Sequence, residues 1–153
     1  MKKILLLLVM MMLAPFAGQA AEIPSLDQAG LVKLLETNRG KVILVNFFAT
    51  WCPPCRAEIP EIVKLRNKYP QDRLMVVGLS VDDTPAPLPD FLKQTGIDYP
   101  VYMAGPDITG AYNVSSVPHN AFIAPDGRLI ISEPGMADEN VLVQVTEDLL
   151  KMK

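Results

Sequence analysis

An α/β domain with a central mixed sheet flanked by helices is the fold class that the sequence predicts, and three observations carry it. Two runs, 41–49 and 73–81, are apolar at successive positions and not only at alternate ones, the mark of strands covered on both faces. Between and around them lie stretches with apolar residues at helical spacing. Near the end, Pro125-Asp126-Gly127 separates two short strand-like runs, and Asp-Gly is a strong hairpin signal.

Taken in order, the chain opens on Lys2 and Lys3, an apolar run at 4–13 and the small residues of Gly18-Gln19-Ala20. This is the layout of a secretory signal peptide spanning residues 1–20. The alternative is an uncleaved tether, because continuation of the apolar stretch through Phe16 and Ala17 approaches the lower length limit for crossing a bilayer. Either way the folded part is expected outside the cytoplasm, in the periplasm, with membrane attachment only if the segment is retained. Residues 21–153 then make one domain, enough for a single core that buries roughly two thirds of the unfolded chain's surface. Without Lys2 and Lys3 the formal charge moves from −3 to −5, which leaves no basic footprint for nucleic acid.

Ser25 and Gln28 read as a capping box that opens a helix over about 26–38, with Leu31, Leu34 and Leu35 as its apolar stripe. Run 41–49 follows as a central strand. From Pro53 or Pro54, both suited to a first helical turn, a helix runs to Tyr69 with Ile59, Ile62, Val63 and Leu65 largely on one side. Pro60 lies inside it and should kink it. After the second buried strand, residues 82–89 carry Pro85, Pro87 and Pro89 and read as an extended surface connection. A short helix around Phe91 and Leu92, a short strand at 99–103 and a helical turn from Pro106 form an inserted segment before the hairpin of 120–124 and 128–132. Asp138 caps a last helix whose apolar face is Val141, Leu142, Val145 and Leu149.

Both cysteines of the chain sit in Trp51-Cys52-Pro53-Pro54-Cys55, where the first long strand hands over to a helix. Any disulfide within the chain therefore joins Cys52 to Cys55. So short a loop removes little unfolded-chain entropy, which makes the pair better suited to being made and broken than to stapling. The competing readings are an inert disulfide and a zinc half-site, the latter needing a recruited carboxylate because only one histidine is available. A free cysteine has a pKa of about 8.5, and a helix start favours its thiolate through unpaired amides and the dipole. Pro53 and Pro54 remove two of those amides. A mild depression and a reducing pair are expected, Cys52 attacking and the more buried Cys55 resolving. The oxidising direction stays open, since about 30 mV corresponds to only about 1.4 kcal/mol.

The cysteine motif at this junction, Pro60 five residues beyond Cys55, and Val117-Pro118 before the hairpin together resemble the thioredoxin fold over nearly all of 21–153. Asn46-Phe47-Phe48-Ala49-Thr50-Trp51, Arg56-Ala57-Glu58-Ile59-Pro60 and Tyr112-Asn113-Val114-Ser115-Ser116-Val117-Pro118 are similar to the extracytoplasmic TlpA/ResA/DsbE (CcmG)-like branch. The resemblance implies a thiol-disulfide oxidoreductase acting on protein thiols and disulfides, as a reductant serving cytochrome c maturation or a more general one. It implies no cofactor beyond the Cys52-Cys55 pair, and recharging by a membrane electron donor of the DsbD/CcdA kind.

The resemblance also assigns residues. Pro118 should be cis and leave the Val117 backbone free to pair with an extended substrate segment, while Trp51, Pro53 and Pro54 shape the site. Ordinary thioredoxins have a buried aspartate where this chain has Asn46, which cannot titrate. Glu58, three residues after Cys55, matches an acidic residue of the ResA-like branch and is the candidate acid/base; the alternative is an exposed first-turn glutamate. Trp51 either shields the cysteines or packs in the core. His119, the sole histidine, either tunes Cys52 or faces water at a strand start, and Arg56 either adds positive potential or solvates the helix. No metal site is expected. From a different class of function, a copper-handling module would use Cys52, Cys55 and His119.

Overall fold

The computed structural model describes residues 23–152, so the expected signal segment lies outside the described residues. Six strands form one sheet: β1 (Ser25–Leu26), β2 (Val42–Phe48), β3 (Leu74–Ser80), β4 (Val101–Ala104), β5 (His119–Ile123) and β6 (Leu129–Pro134). Five helices accompany them: α1 (Gln28–Thr37), α2 (Pro53–Lys68), α3 (Leu88–Thr95), α4 (Pro106–Ala111) and α5 (Glu139–Leu150). The strand order is β1-β4-β3-β2-β5-β6. The first four are parallel where they pair, and β5 and β6 run antiparallel to their neighbours, which makes the sheet mixed as expected.

The successive apolar residues of β2 are explained by two separate cores. Val42, Leu44 and Phe48 pack under α2, α3 and α5 with Ile59, Ile62, Phe91 and Leu142. Ile43, Val45 and Phe47 face the other way, against Leu31 of α1 and Ile108 of α4. Every residue of β2 is buried. Each such aliphatic or aromatic side chain contributes roughly 1.5–3 kcal/mol by leaving water, so β2 fixes both layers at once. Asn46, the one polar residue of this strand, falls on the α2 side.

The hairpin forms where Asp126-Gly127 placed it. Gly127 has φ +89°, a left-handed conformation open to glycine, and its amide donates to Ala124 O at 2.8 Å. Asp138 caps α5 by accepting from the Val141 amide at 3.0 Å.

Three expectations need correction. Ser25 does not cap α1, because Ser25 and Leu26 are drawn into parallel pairing with Met103 and Ala104. Asp27 caps instead, accepting from the Gly30 amide at 2.7 Å. The connection after β3 is shorter than read, since Leu88 and Pro89 already belong to the first turn of α3, the position where a missing amide costs no hydrogen bond. On α5, Val141 is exposed and the buried face is Leu142, Thr146 and Leu149; Thr146 is tolerated there because its hydroxyl donates to Leu142 O at 2.8 Å. Helix α2 continues through Pro60.

Candidate active site

Cys52 is the N-cap of α2, and Pro53 and Pro54 occupy its first helical positions. Neither proline has an amide proton, so the first free donor of the helix is the Cys55 amide, which lies 3.3 Å from Cys52 Sγ. The two sulfurs are joined in a disulfide. Cys52 is 3% exposed and Cys55 is fully buried. Across from them the Val117-Pro118 peptide is cis, as expected, and Val117 O lies 3.5 Å from Cys52 Sγ. Trp51 is 67% exposed, so it does not pack in the core. Pro53 and Pro54 are exposed beside it. A groove of about 490 Å3 runs from Trp51 along Val81, Thr109 and Val114 to Val117.

The turn that aims the motif is held by a residue that sequence reading missed. Asp82, just past β3, is buried and its carboxylate accepts from the Thr50 amide at 3.0 Å, the Thr50 hydroxyl at 2.7 Å and the Ser80 hydroxyl at 2.7 Å. Arg56 adds a second tie: its Nε donates to Thr50 O at 2.8 Å, and its guanidinium lies 4.9 Å from the centre of the Phe91 ring. Its side chain is therefore fixed on Thr50 and Phe91 and does more than solvate the helix.

Glu58 is completely buried, which removes the reading of an exposed first-turn glutamate. Position i+3 on the helix puts it on the same side as Cys55. Its Oε1 accepts from Asn120 Nδ2 at 2.6 Å and the Ala137 amide at 2.8 Å, and its Oε2 accepts from Asn46 Nδ2 at 3.0 Å. Burial pushes the carboxyl above its ordinary value, and the three donors only partly offset that push. Asn46, silent as an acid, thus works as a clamp on the acid. It spends its second amide proton on Asn120 Oδ1 at 2.9 Å. A polar residue inside the otherwise apolar run of β2 was the available signal for this network.

His119 does not face water. It pairs in register with Phe47, on the α1 and α4 side of the sheet and away from α2. It is 1% exposed, its Nε2 meets Ser132 Oγ at 2.9 Å, and that hydroxyl donates to Tyr112 O at 3.1 Å. The hydroxyl proton being committed, Nε2 must carry the ring proton. Burial holds the imidazole below its ordinary pKa. Among the described residues no group of three His, Cys, Asp or Glu side chains is arranged to hold a metal ion.

Residues 17–150 match the family model described as Redoxin. The chain belongs to the Redoxin family. Among its relatives is the "Thiol-disulfide oxidoreductase ResA" of Bacillus thuringiensis, 33% identical over 97 residues that make up 63% of this chain and 56% of ResA. The "Thiol:disulfide interchange protein HelX" of Rhodobacter capsulatus is 33% identical over 113 residues, 72% of this chain and 62% of HelX. The chain thus spans a little over half the length of that ResA. A solved thioredoxin-family thiol:disulfide interchange protein from Chlorobium tepidum superposes with a TM-score of 0.70 at 30% identity, covering 75% of this chain and 83% of that one. A thiol-disulfide isomerase from Corynebacterium glutamicum gives 0.72 at 26% identity, covering 77% and 86%. The sheet of this Redoxin-family chain is a thioredoxin fold, with α3 and β4 inserted before the hairpin.

Proposed function

We propose that this chain is an exported thiol-disulfide oxidoreductase that reduces protein disulfides through Cys52 and Cys55. The observation that carries the reading is the disulfide at the start of α2, its outer sulfur 3.5 Å from the Val117 carbonyl and next to an open groove. The names of the ResA and HelX relatives support the same chemistry. Cytochrome c precursors belong among the substrates that the family resemblance favours. A membrane dithiol donor of the DsbD/CcdA kind restores the reduced pair.

In the reduced protein the Cys55 amide and the helix dipole favour the Cys52 thiolate. An extended substrate segment lies in the groove against Val117, and the thiolate attacks one substrate sulfur. The substrate disulfide breaks, its other sulfur leaves as a thiolate and takes a proton, and Cys52 is left in a mixed disulfide. Cys55 then gives its proton to the Glu58 carboxylate and attacks Cys52 Sγ. The second substrate thiolate departs and takes up the proton held by Glu58, so the substrate has gained two electrons and two protons, the carboxylate is restored and the Cys52-Cys55 bond has re-formed. Glu58 is the base in the second half because it sits on the Cys55 side of α2, with a raised proton affinity.

Two measurements test this. The equilibrium potential of the pair against glutathione should fall near about −270 mV, and a value near about −120 mV overturns the reductant direction. Cys55→Ser should accumulate mixed disulfides through Cys52 when offered oxidised proteins; recovery of none overturns the substrate class.

A further inference from the structure

Three buried polar atoms among the described residues have no hydrogen-bond partner: Asn46 Oδ1, Tyr99 Oη and His119 Nδ1. The first two belong to one place. Asn46 and Gly78 are register partners on neighbouring parallel strands, so their side-chain directions agree and both face α2. Gly78 has no side chain, and a Cβ placed there would lie 3.4 Å from Tyr99 Cε2. The Tyr99 ring, carried by the loop before β4, therefore lies within van der Waals range of the Gly78 backbone on the face of the sheet that Asn46 shares, next to Val101 and Phe48, which crowd position 78 more closely. Burial holds the Tyr99 phenol well above its ordinary pKa and the Glu58 charge adds to that push, which keeps it a donor at every working pH.

The hydrogen-bond count of this cluster is open by three. Glu58 needs donors, so both asparagines must turn their NH2 groups to it, and the orientation of each amide follows. Asn46 Nδ2 is then fully used by Glu58 and Asn120, and Asn46 Oδ1 is left as an acceptor without a donor. Glu58 Oε1 takes two donors, whereas Oε2 takes one and keeps a lone pair. Tyr99 brings a donor without an acceptor. Buried waters typically make about three hydrogen bonds to polar groups left in this condition.

We propose that one buried water accepts from Tyr99 Oη and donates to Asn46 Oδ1 and Glu58 Oε2, which makes Tyr99 a positioning residue for the Glu58 carboxylate. The water closes all three valences. It also gives the Glu58 proton a first carrier on the side of the carboxylate away from Ala137. The titratable groups around Glu58 are few: Tyr99 from the β4 side, and the cysteines on its own helix. Strands β2 and β5 present the two asparagines, and the loop before α5 presents a backbone amide. Asp98, which also acts on Tyr99, is outward and 3.6 Å from Arg66 Nε.

The inference deepens the acid/base role proposed for Glu58, and its test is independent of that role. A high-resolution crystal structure of the wild-type protein should show a solvent peak within hydrogen-bond distance of all three atoms. Carboxyl NMR titration should place the Glu58 midpoint of Tyr99→Phe higher than wild type by roughly 1–2 pH units, the scale of one hydrogen bond to a charged group. A purely structural Tyr99 would lower stability and leave that midpoint in place. An absent peak, or an unmoved midpoint in a folded Tyr99→Phe, overturns the bridge. Should Glu58→Gln leave the pH dependence of substrate reduction unchanged, the acid/base role fails, while the peak and the titration still decide the water.

Discussion

A carboxyl group with no exposed surface is costly unless it is paired, and Glu58 is paired with three donors and no cation. Its proton affinity is raised, so between the ordinary carboxyl value of 4.5 and the raised one the folded state holds more protons than the unfolded state. Its contribution to stability is therefore fullest in acid and declines as pH rises through that window. His119 has the opposite sign. Its folded pKa lies below 6.5, so the unfolded chain binds the extra proton and stability is lost as pH falls from that value. Between about pH 7.5 and 5 the Glu58 contribution works against that of His119 in the wild type, so the denaturant midpoint of His119→Gln should change more favourably than the wild type's as pH falls; equal changes would show that another group titrates. For catalysis, Glu58→Gln should slow complete reduction of a protein disulfide at pH 7 by about 100-fold, the scale of one general base. Alkylation of Cys52 in a Cys55→Ser background should hardly change with it. If both steps slow alike, Glu58 acts on Cys52 or on the fold and not on the resolving step.

At the scale of elements, the turn from β2 into α2 is set by a residue that follows a different strand. Asp82→Ala would strand the Thr50 amide and hydroxyl and the Ser80 hydroxyl in a buried place. The expected loss is roughly 2–4 kcal/mol in urea unfolding, and a loss below about 1 kcal/mol would show that the turn holds itself. This tie also marks where sequence reading stops. The long strands were legible because each is apolar on both faces, and the hairpin because Asp126-Gly127 is local. Strand β1 was not, since two residues carry no period and its extended backbone is imposed by β4, with Met103 N donating to Pro24 O at 2.9 Å. The cysteines and Pro118 were legible as a motif. The partners of Glu58 were not: Asn120 is 62 residues away along the chain and Ala137 is 79, and nothing in the local pattern of either announces the meeting.

Across the whole molecule, the two cores on either side of β2 leave the disulfide little to do for stability. The Cys52-Cys55 separation is three residues, and by loop-closure entropy so small a ring is worth about 2 kcal/mol at most. Thermal unfolding with and without dithiothreitol should therefore give one cooperative transition in each case, the two midpoints within about 10 °C. A reduced protein that fails to fold would make the bond a structural staple and remove the basis for a redox cycle. No helix among the described residues is long and apolar enough to cross a membrane.

Trp51 is the sole tryptophan of the chain, and it stands largely in solvent directly before the bonded sulfur. Indole emission is quenched by a neighbouring disulfide and recovers when that bond opens. Reduction with dithiothreitol should therefore raise the Trp51 emission, with no second tryptophan to dilute the signal; an unchanged emission would show that the indole stands clear of the bond. The proposed turnover would then be readable on the unlabelled wild-type chain, and a bound substrate segment would register as a shift in the colour of the same emission.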